Sequence, residues 1–378
     1  MADVDLVEEI RTEEEEEDLQ VGTFQNFLQD KRKLVAAFFV FAILLVAIYV
    51  LFPKIVGLDD TLAKIDEAVW YWIVVAVGFN LVAFGAYVAL FRGILGGVDD
   101  AVLRRRLDMR ASYQITMAGL AATRIFSAAG AGGIALTYWA LRKAGMPRRR
   151  SACRMIAFLV LMYSVYLLAL VLFGVLLRTN VLPGDNPVGG TIIPAAVASG
   201  VIVLILLVAL IPQDIERRLM RFGRGYRRVT LASRLAKGPA TVAVGVRTAI
   251  AFVSHPRRGA LAVVGALGFW GANIAVLWAA FEAFGGDVPF AVLVQGFFVG
   301  MAANLIPSPA GGVGSVDAGM IGAFVLFGID SDIVFPAVLT YRVIAFWLPI
   351  PPGIVAYFQL RKTVSSWESE ASISKVKA

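Results

Sequence analysis

Five long apolar stretches constrain what this chain can become: Leu34 to Phe52, Val69 to Phe91, Met155 to Leu177, Thr191 to Ile211 and Gly259 to Phe284. A helix needs about 20 such residues to cross a hydrocarbon core, and each stretch is long enough. Hydrophobic residues make up 59% of the 378 and charged residues only 17%, where soluble proteins carry about 25% charge. A soluble enzyme, a disordered protein and a secreted disulfide scaffold are thereby excluded. The chain reads as an all-α, polytopic membrane helix bundle.

Cys153 and His255 are the single residues of their kinds. An intrachain disulfide, a Cys/His metal cluster and a redox dithiol are ruled out. A Ser-His-Asp triad could draw only on His255, which stands beside Pro256, Arg257 and Arg258 and reads as exposed. No GxxxxGK[ST] loop is present to hold a nucleotide phosphate. No cofactor and no metal are expected. Residues 1–32 hold eleven acids and three bases. The run Glu13 to Asp18 reads as a solvated, disordered cytoplasmic tail, and no cleaved signal peptide is expected ahead of the first apolar run.

Charge placement predicts the topology. Five Lys and Arg fall in 92–110, six in 142–154, eleven in 212–258 and four after Leu360, against two in 53–68 and one in 178–190. Short connections rich in Lys and Arg stay cytoplasmic. That puts 92–110, 142–154, 212–258 and both termini inside, in a multi-pass protein of the cell membrane. Residues 363–378 are the second cytoplasmic tail, and 33–362 form the transmembrane domain.

This assignment makes the apolar stretch Ala111 to Leu141 enter and leave by one face. Its roughly 31 residues fall short of the roughly 40 plus a turn that two crossings need, and its centre is Ala128-Ala129-Gly130-Ala131-Gly132-Gly133. A re-entrant helical hairpin over about 111–141 fits. The stretch Pro289 to Gly328 repeats the problem from the opposite face, flanked by Asp287, Asp330 and Asp332 and broken at Pro307-Ser308-Pro309-Ala310-Gly311-Gly312-Val313-Gly314. Each hairpin (the second over 289–328) is followed by a glycine, Gly145 or Gly328, and then by a helix with an arginine, Arg154 or Arg342. Broken segments at corresponding places in two halves point to two inverted repeats. The plainer alternative is two kinked helices, since Gly and Pro are common in membrane helices.

Few charges remain at membrane depth: Arg124, Asp317 and Arg342, with Arg154 at a boundary. Each costs about 2.5–3.5 kcal/mol on insertion scales, so partners or a wet cavity are required. Helices restarting after Gly133 and Gly314 offer free N–H groups and partial positive charge. With the arginines they suit an anion such as phosphate. Ser127, Gln114, Thr123, Gln295, Asn304, Ser308 and Ser315 add polar groups at similar depth, and Asn80 and Asn273 lie in the helices leading into the hairpins. The structural alternatives are an Arg–Asp lock, asparagines as interhelical glue and glycines serving close packing alone. Segment 212–258, with Arg217, Arg218, Arg221 and Arg224 among Leu219, Met220 and Phe222, reads as interfacial on anionic lipid rather than on nucleic acid.

The run Asn304-Leu-Ile-Pro307-Ser-Pro309-Ala-Gly311-Gly312-Val-Gly314-Ser-Val-Asp317, with the pair Tyr341-Arg342, resembles the flippase-like transmembrane family of the lysylphosphatidylglycerol synthases. The likeness runs from about Lys33 to Lys362. It implies two re-entrant hairpins and movement of phospholipids or glycolipids between leaflets. It places the proline-glycine break on Pro307, Pro309, Gly311, Gly312 and Gly314 and the helix arginine on Arg342. Where the family usually has Glu this chain has Asp317, one methylene shorter. After the first glycine pair, where a polar or acidic residue is frequent, it has Leu136 and Thr137. The soluble aminoacyl-transfer domain of bifunctional members is not expected, since no soluble stretch here is long enough.

The expectation is a translocator of a phosphate-bearing lipid, not an enzyme, with anionic membrane lipids as partners. Arg124 and Arg342 would hold the phosphate, and Asp317 would position an arginine or meet a cationic headgroup. Ser127, Gly132, Gly133, Asn304 and Tyr341 complete the candidate substrate site. The rivals are an integral-membrane enzyme acting on a lipid-linked phosphate and a noncatalytic partner of another membrane enzyme. Oligomeric state is left open, a homo-oligomer included.

Overall fold

The computed structural model describes residues 68–95, 100–125, 131–210, 228–305 and 312–376, with side chains described except at 131, 228–240, 256, 258 and 371–376. Within these residues all regular structure is helical. The order is α1 Trp70–Leu95, a short α2 Ala101–Arg106, α3 Met109–Ile125, α4 Ala131–Lys143, α5 Arg148–Arg178, α6 Ile192–Ala209, α7 Arg228–Ser254, α8 Pro256–Ala283, α9 Phe290–Met301, α10 Ser315–Leu326, α11 Ser331–Arg342 and α12 Ile350–Val376. Among the described residues, five helices are long and apolar enough to cross a membrane: Trp70–Leu95, Arg148–Arg178, Ile192–Ala209, Gly259–Ala283 and the continuous Ser331–Glu370. The chain is an all-α membrane helix bundle. The first apolar run, Leu34 to Phe52, and the acidic tail lie outside the described residues.

Helix ends follow from local chemistry. Gly145 has φ +104° and Gly328 φ +77°, the left-handed conformation that costs glycine least. At α4 the Met146 N–H reaches Leu141 O at 3.1 Å and the Gly145 N–H reaches Arg142 O at 2.9 Å. At α10 the Ile329 N–H reaches Phe324 O at 3.1 Å and the Gly328 N–H reaches Val325 O at 3.0 Å. Both are the paired 6→1 and 5→2 bonds that satisfy a helix's last carbonyls. Each of the two glycines matched in the sequence thus ends a short helix, three residues before the next helix begins.

Close packing is built on small residues. A side chain at Gly93 or Gly265 on one of α1 and α8 would overlap the other helix, at Ala262 and Leu90 respectively, so these two helices run in near backbone contact, as membrane interfaces favour. Aromatic residues then tie α5 to this pair and to α9. Trp270 donates Nε1–H to Met162 O at 2.8 Å, and Tyr166 donates its hydroxyl to Phe298 O at 2.6 Å. Phe297, Phe298 and Phe324 are fully buried around them.

Two ends of the sequence-defined segments take a definite form. Ala243, Val246, Ala249 and Phe252, within 212–258, are buried, and α7 packs on α5 there. Residues 363–376 continue α12 rather than breaking from it, with Val364 and Trp367 buried. The Lys143 ammonium meets Glu368 at 2.8 Å, and Arg106 Nη2 donates to Trp367 O at 3.0 Å. The end of α4 and the short α2 are thereby joined to the end of α12.

Candidate functional site

α3 packs on α4, and α9 on α10. α4 has 13 residues and α10 has 12, so they rise about 20 Å and 18 Å, short of a hydrocarbon core of about 30 Å. Each pair meets at glycine. A Cβ on Gly133 would overlap Thr123 Oγ1 and the Gly119 carbonyl, so α3 and α4 cross there. A Cβ on Gly300 would overlap Met320, and one on Gly319 the Gly300 carbonyl, so α9 and α10 cross likewise.

The start of α10 is fixed by an ion pair. Gly312 and Gly314 take φ +94° and +85°, and α10 starts immediately after them. Asp317 sits in its first turn, where a carboxylate favours the helix dipole. Its Oδ2 accepts the Gly314 N–H at 2.8 Å, and its Oδ1 accepts Arg342 Nε–H at 2.6 Å. Arg342 Nη2 also donates to Gly312 O at 3.3 Å. The two side chains are 5% and 13% exposed for Arg342 and Asp317, so the pair is shielded from water and gains from the low surrounding dielectric. Of the alternatives raised for Arg342, its charge is spent on Asp317 and on the broken backbone.

Arg124 is placed differently. It lies in the last turn of α3, 5.6 Å from the centroid of the Phe346 ring. Arg342 approaches that same ring to 4.4 Å. Both distances are within cation–π range, so one aromatic side chain brings the end of α3 and the last spanning helix together. Arg124 Nη1 is buried and has no hydrogen-bond partner among the described residues. Arg342, Tyr341 and Tyr87 are its charged and titratable neighbours. A half-buried arginine with one buried, unmet N–H is chemistry that can receive an anion.

Below this centre the last span is re-registered. Val343–Trp347 form a π turn, where Leu348 N–H bonds Val343 O at 3.0 Å. The next carbonyl, Ile344, would look to residue 349, but proline has no N–H. Asn80 Nδ2 donates to Ile344 O at 2.8 Å instead, and Asn80 is 1% exposed. π turns are frequent at functional sites, and this one carries Phe346.

Of the other candidates, Tyr341 is buried against Phe297, with ring centroids 5.8 Å apart. Asn304 is exposed on the 3₁₀ turn Ala302–Leu305, its Oδ1 beside the space a side chain at Gly312 would need. Gly132 and Gly133 open α4. Ser127, Ser308, Pro307, Pro309 and Gly311 lie outside the described residues. Several polar residues serve the scaffold: Thr123 donates to Gly119 O at 2.9 Å, Gln295 to Gly190 O at 2.9 Å, and Asn273 to Phe269 O at 2.8 Å. Gln114 Oε1 accepts from Thr363 at 2.9 Å. Arg154 Nη1 donates to Ile94 O at 2.5 Å, closing the end of α1, and sits 5.6 Å over the Phe252 ring. Phe346 was missed in the sequence. Its spacing of four from Arg342, which sets both on one helix face, was the available signal.

Comparison with known proteins agrees with a membrane protein. Residues 35–353 match the family model described as the lysylphosphatidylglycerol synthase TM region. Two curated proteins named UPF0104 membrane protein, both of Methanothermobacter thermautotrophicus, are 29% identical to the chain. One match covers 96 residues, 25% of this chain and 28% of the relative. The other covers 79 residues, 21% of this chain and 24% of the relative. The aligned parts thus span about a quarter of each relative's length.

Proposed function

The chain belongs to the family of the lysylphosphatidylglycerol synthase transmembrane region, and from that premise we propose that it moves a phosphate-bearing lipid between leaflets. The observation that carries the reading is Arg124 Nη1, buried and without a partner among the described residues, beside a ring that it shares with Arg342. A lone guanidinium in an apolar bundle is costly, and a lipid phosphate offsets that cost with charge-assisted hydrogen bonds. The family's name concerns a phospholipid, which supplies the ligand class.

In this reading α3–α4 and α9–α10 are re-entrant hairpins of two inverted repeats. Arg124 contacts the headgroup phosphate, while acyl chains stay in the bilayer. Arg342 is a positioning residue. Through Asp317 and Gly312 it holds the second break in shape. Anionic lipids would also engage the basic residues of 212–258. Translocation needs the hairpin interface to open and reclose at the glycine-lined crossings.

The test uses the purified chain in liposomes with fluorescent phospholipids on one leaflet. The account expects faster exchange than in protein-free liposomes, with the lipids recovered chemically unchanged. A modified lipid product would support the enzymatic rival. Exchange equal to protein-free liposomes would contradict translocation.

A further inference from the structure

Resting on the same site, the charge count around Phe346 restricts the ligand further. Two guanidinium groups approach the ring, and one is matched by a carboxylate. Both Asp317 oxygens accept hydrogen bonds, one from Arg342 and one from the Gly314 backbone, so each oxygen is engaged and the carboxylate's charge is matched by Arg342. The neighbours acting on Arg124 are Arg342 and two phenols, Tyr341 and Tyr87, and phenols are neutral at physiological pH. Among the described residues the centre therefore carries one uncompensated positive charge, on Arg124.

We infer that Asp317 is the residue that sets which phosphate the site accepts, reserving Arg342 so that a single cation faces the ligand and a monoanionic phosphodiester is preferred over a phosphomonoester. A phosphomonoester carries about −1.5 to −2 charge near neutrality. Its second charge would enter an apolar bundle without a counterion, and an unpaired charge is heavily penalised there. A diester brings one charge and meets one. Arg342 stands too close to be neutral in this choice. Without Asp317 it would present a second cation across the Phe346 ring and invite the dianion.

Binding is measured on the full chain in detergent micelles at pH 8 with acyl-labelled phosphatidylglycerol, phosphatidate and diacylglycerol. Wild type is expected to favour phosphatidylglycerol over phosphatidate by about tenfold, the scale of one unmatched charge in a shielded site. Asp317→Asn is expected to erase or invert that ratio. Arg342→Gln removes the excess charge and is expected to weaken both phospholipids about tenfold. The double variant Asp317→Asn/Arg342→Gln restores one net positive charge and is expected to return the wild-type ratio. That rescue decides the matter if Asp317→Asn fails to fold, because a purely structural ion pair gives no reason for it. A wild-type preference for phosphatidate, or an unchanged ratio in Asp317→Asn, overturns the inference. Equal binding of both phospholipids above diacylglycerol overturns the charge rule and leaves lipid binding standing. Binding no tighter than diacylglycerol overturns both. Soluble glycerophosphoglycerol serves as competitor. Displacement at equal concentration would keep the charge rule and refute the lipid as its source.

Discussion

Asn80 and Ile344, 264 residues apart, are joined by a hydrogen bond of 2.8 Å from the asparagine side chain to the backbone carbonyl. The carbonyl is orphaned by Pro349 and the π turn, so Asn80 is what makes the re-registered helix tolerable. Asn80→Leu is expected to destabilise the protein by about 1–3 kcal/mol, the cost of a buried unmet acceptor. Thermal unfolding in detergent measures it. Asp at this position, ionised and unable to donate, should be worse than Leu, and equal stability of the Leu variant and wild type would contradict the assignment.

Breaking the Arg342–Asp317 pair from one side leaves a shielded charge alone, which costs about 3–5 kcal/mol. Arg342→Gln and Asp317→Asn are each expected to lower thermal stability by more than the double variant does. If the double variant is less stable than either single one, the pair does not act as a unit.

Two glycines in the same bundle should respond oppositely to alanine. Gly133→Ala pushes a methyl into Thr123 and the Gly119 carbonyl and should cost about 1–3 kcal/mol by overpacking. Gly78 faces open space in the middle of α1, so Gly78→Ala should stabilise by up to about 1 kcal/mol through helix propensity. Unfolding of the two variants side by side checks the α3–α4 crossing.

The re-entrant arrangement predicts sidedness. In a Cys153→Ala background, single cysteines at the exposed positions Arg110 and Lys143 should both react with an impermeant reagent from one side of sealed vesicles. Those at Asp287 and Asp330 should both react from the other. Reaction of Arg110 and Lys143 positions from opposite sides would make Ala111 to Leu141 a crossing and end the inverted-repeat model.

Much of this was legible along the chain because the signals are local. Gly145 and Gly328 end helices through hydrogen bonds that span no more than five residues, so each is set by its own neighbourhood. The Arg342–Asp317 lock was in view as the structural alternative, since few charges lay at depth to choose among. What was not legible depends on long-range contact. Nothing near Asn80 says that its partner is a carbonyl stranded by Pro349. Nothing near Arg154 points to Ile94. The packing of Thr241–Ser254 on α5 was hidden by the basic residues around it, and the continuation of α12 past Lys362 by charges that a tail would carry equally well.

Arg124 bears the central claim, and lipid exchange in Arg124 variants tests it most directly. Fluorescent phosphatidylglycerol exchange is compared in liposomes holding equal amounts of folded wild type, Arg124→Lys and Arg124→Gln. Lysine keeps the charge as a point donor and should retain a measurable part of the rate. Glutamine removes the charge and should reduce exchange by roughly tenfold or more, for a loss of about 1.4 kcal/mol or greater. Wild-type exchange in a well-folded Arg124→Gln protein would contradict the account.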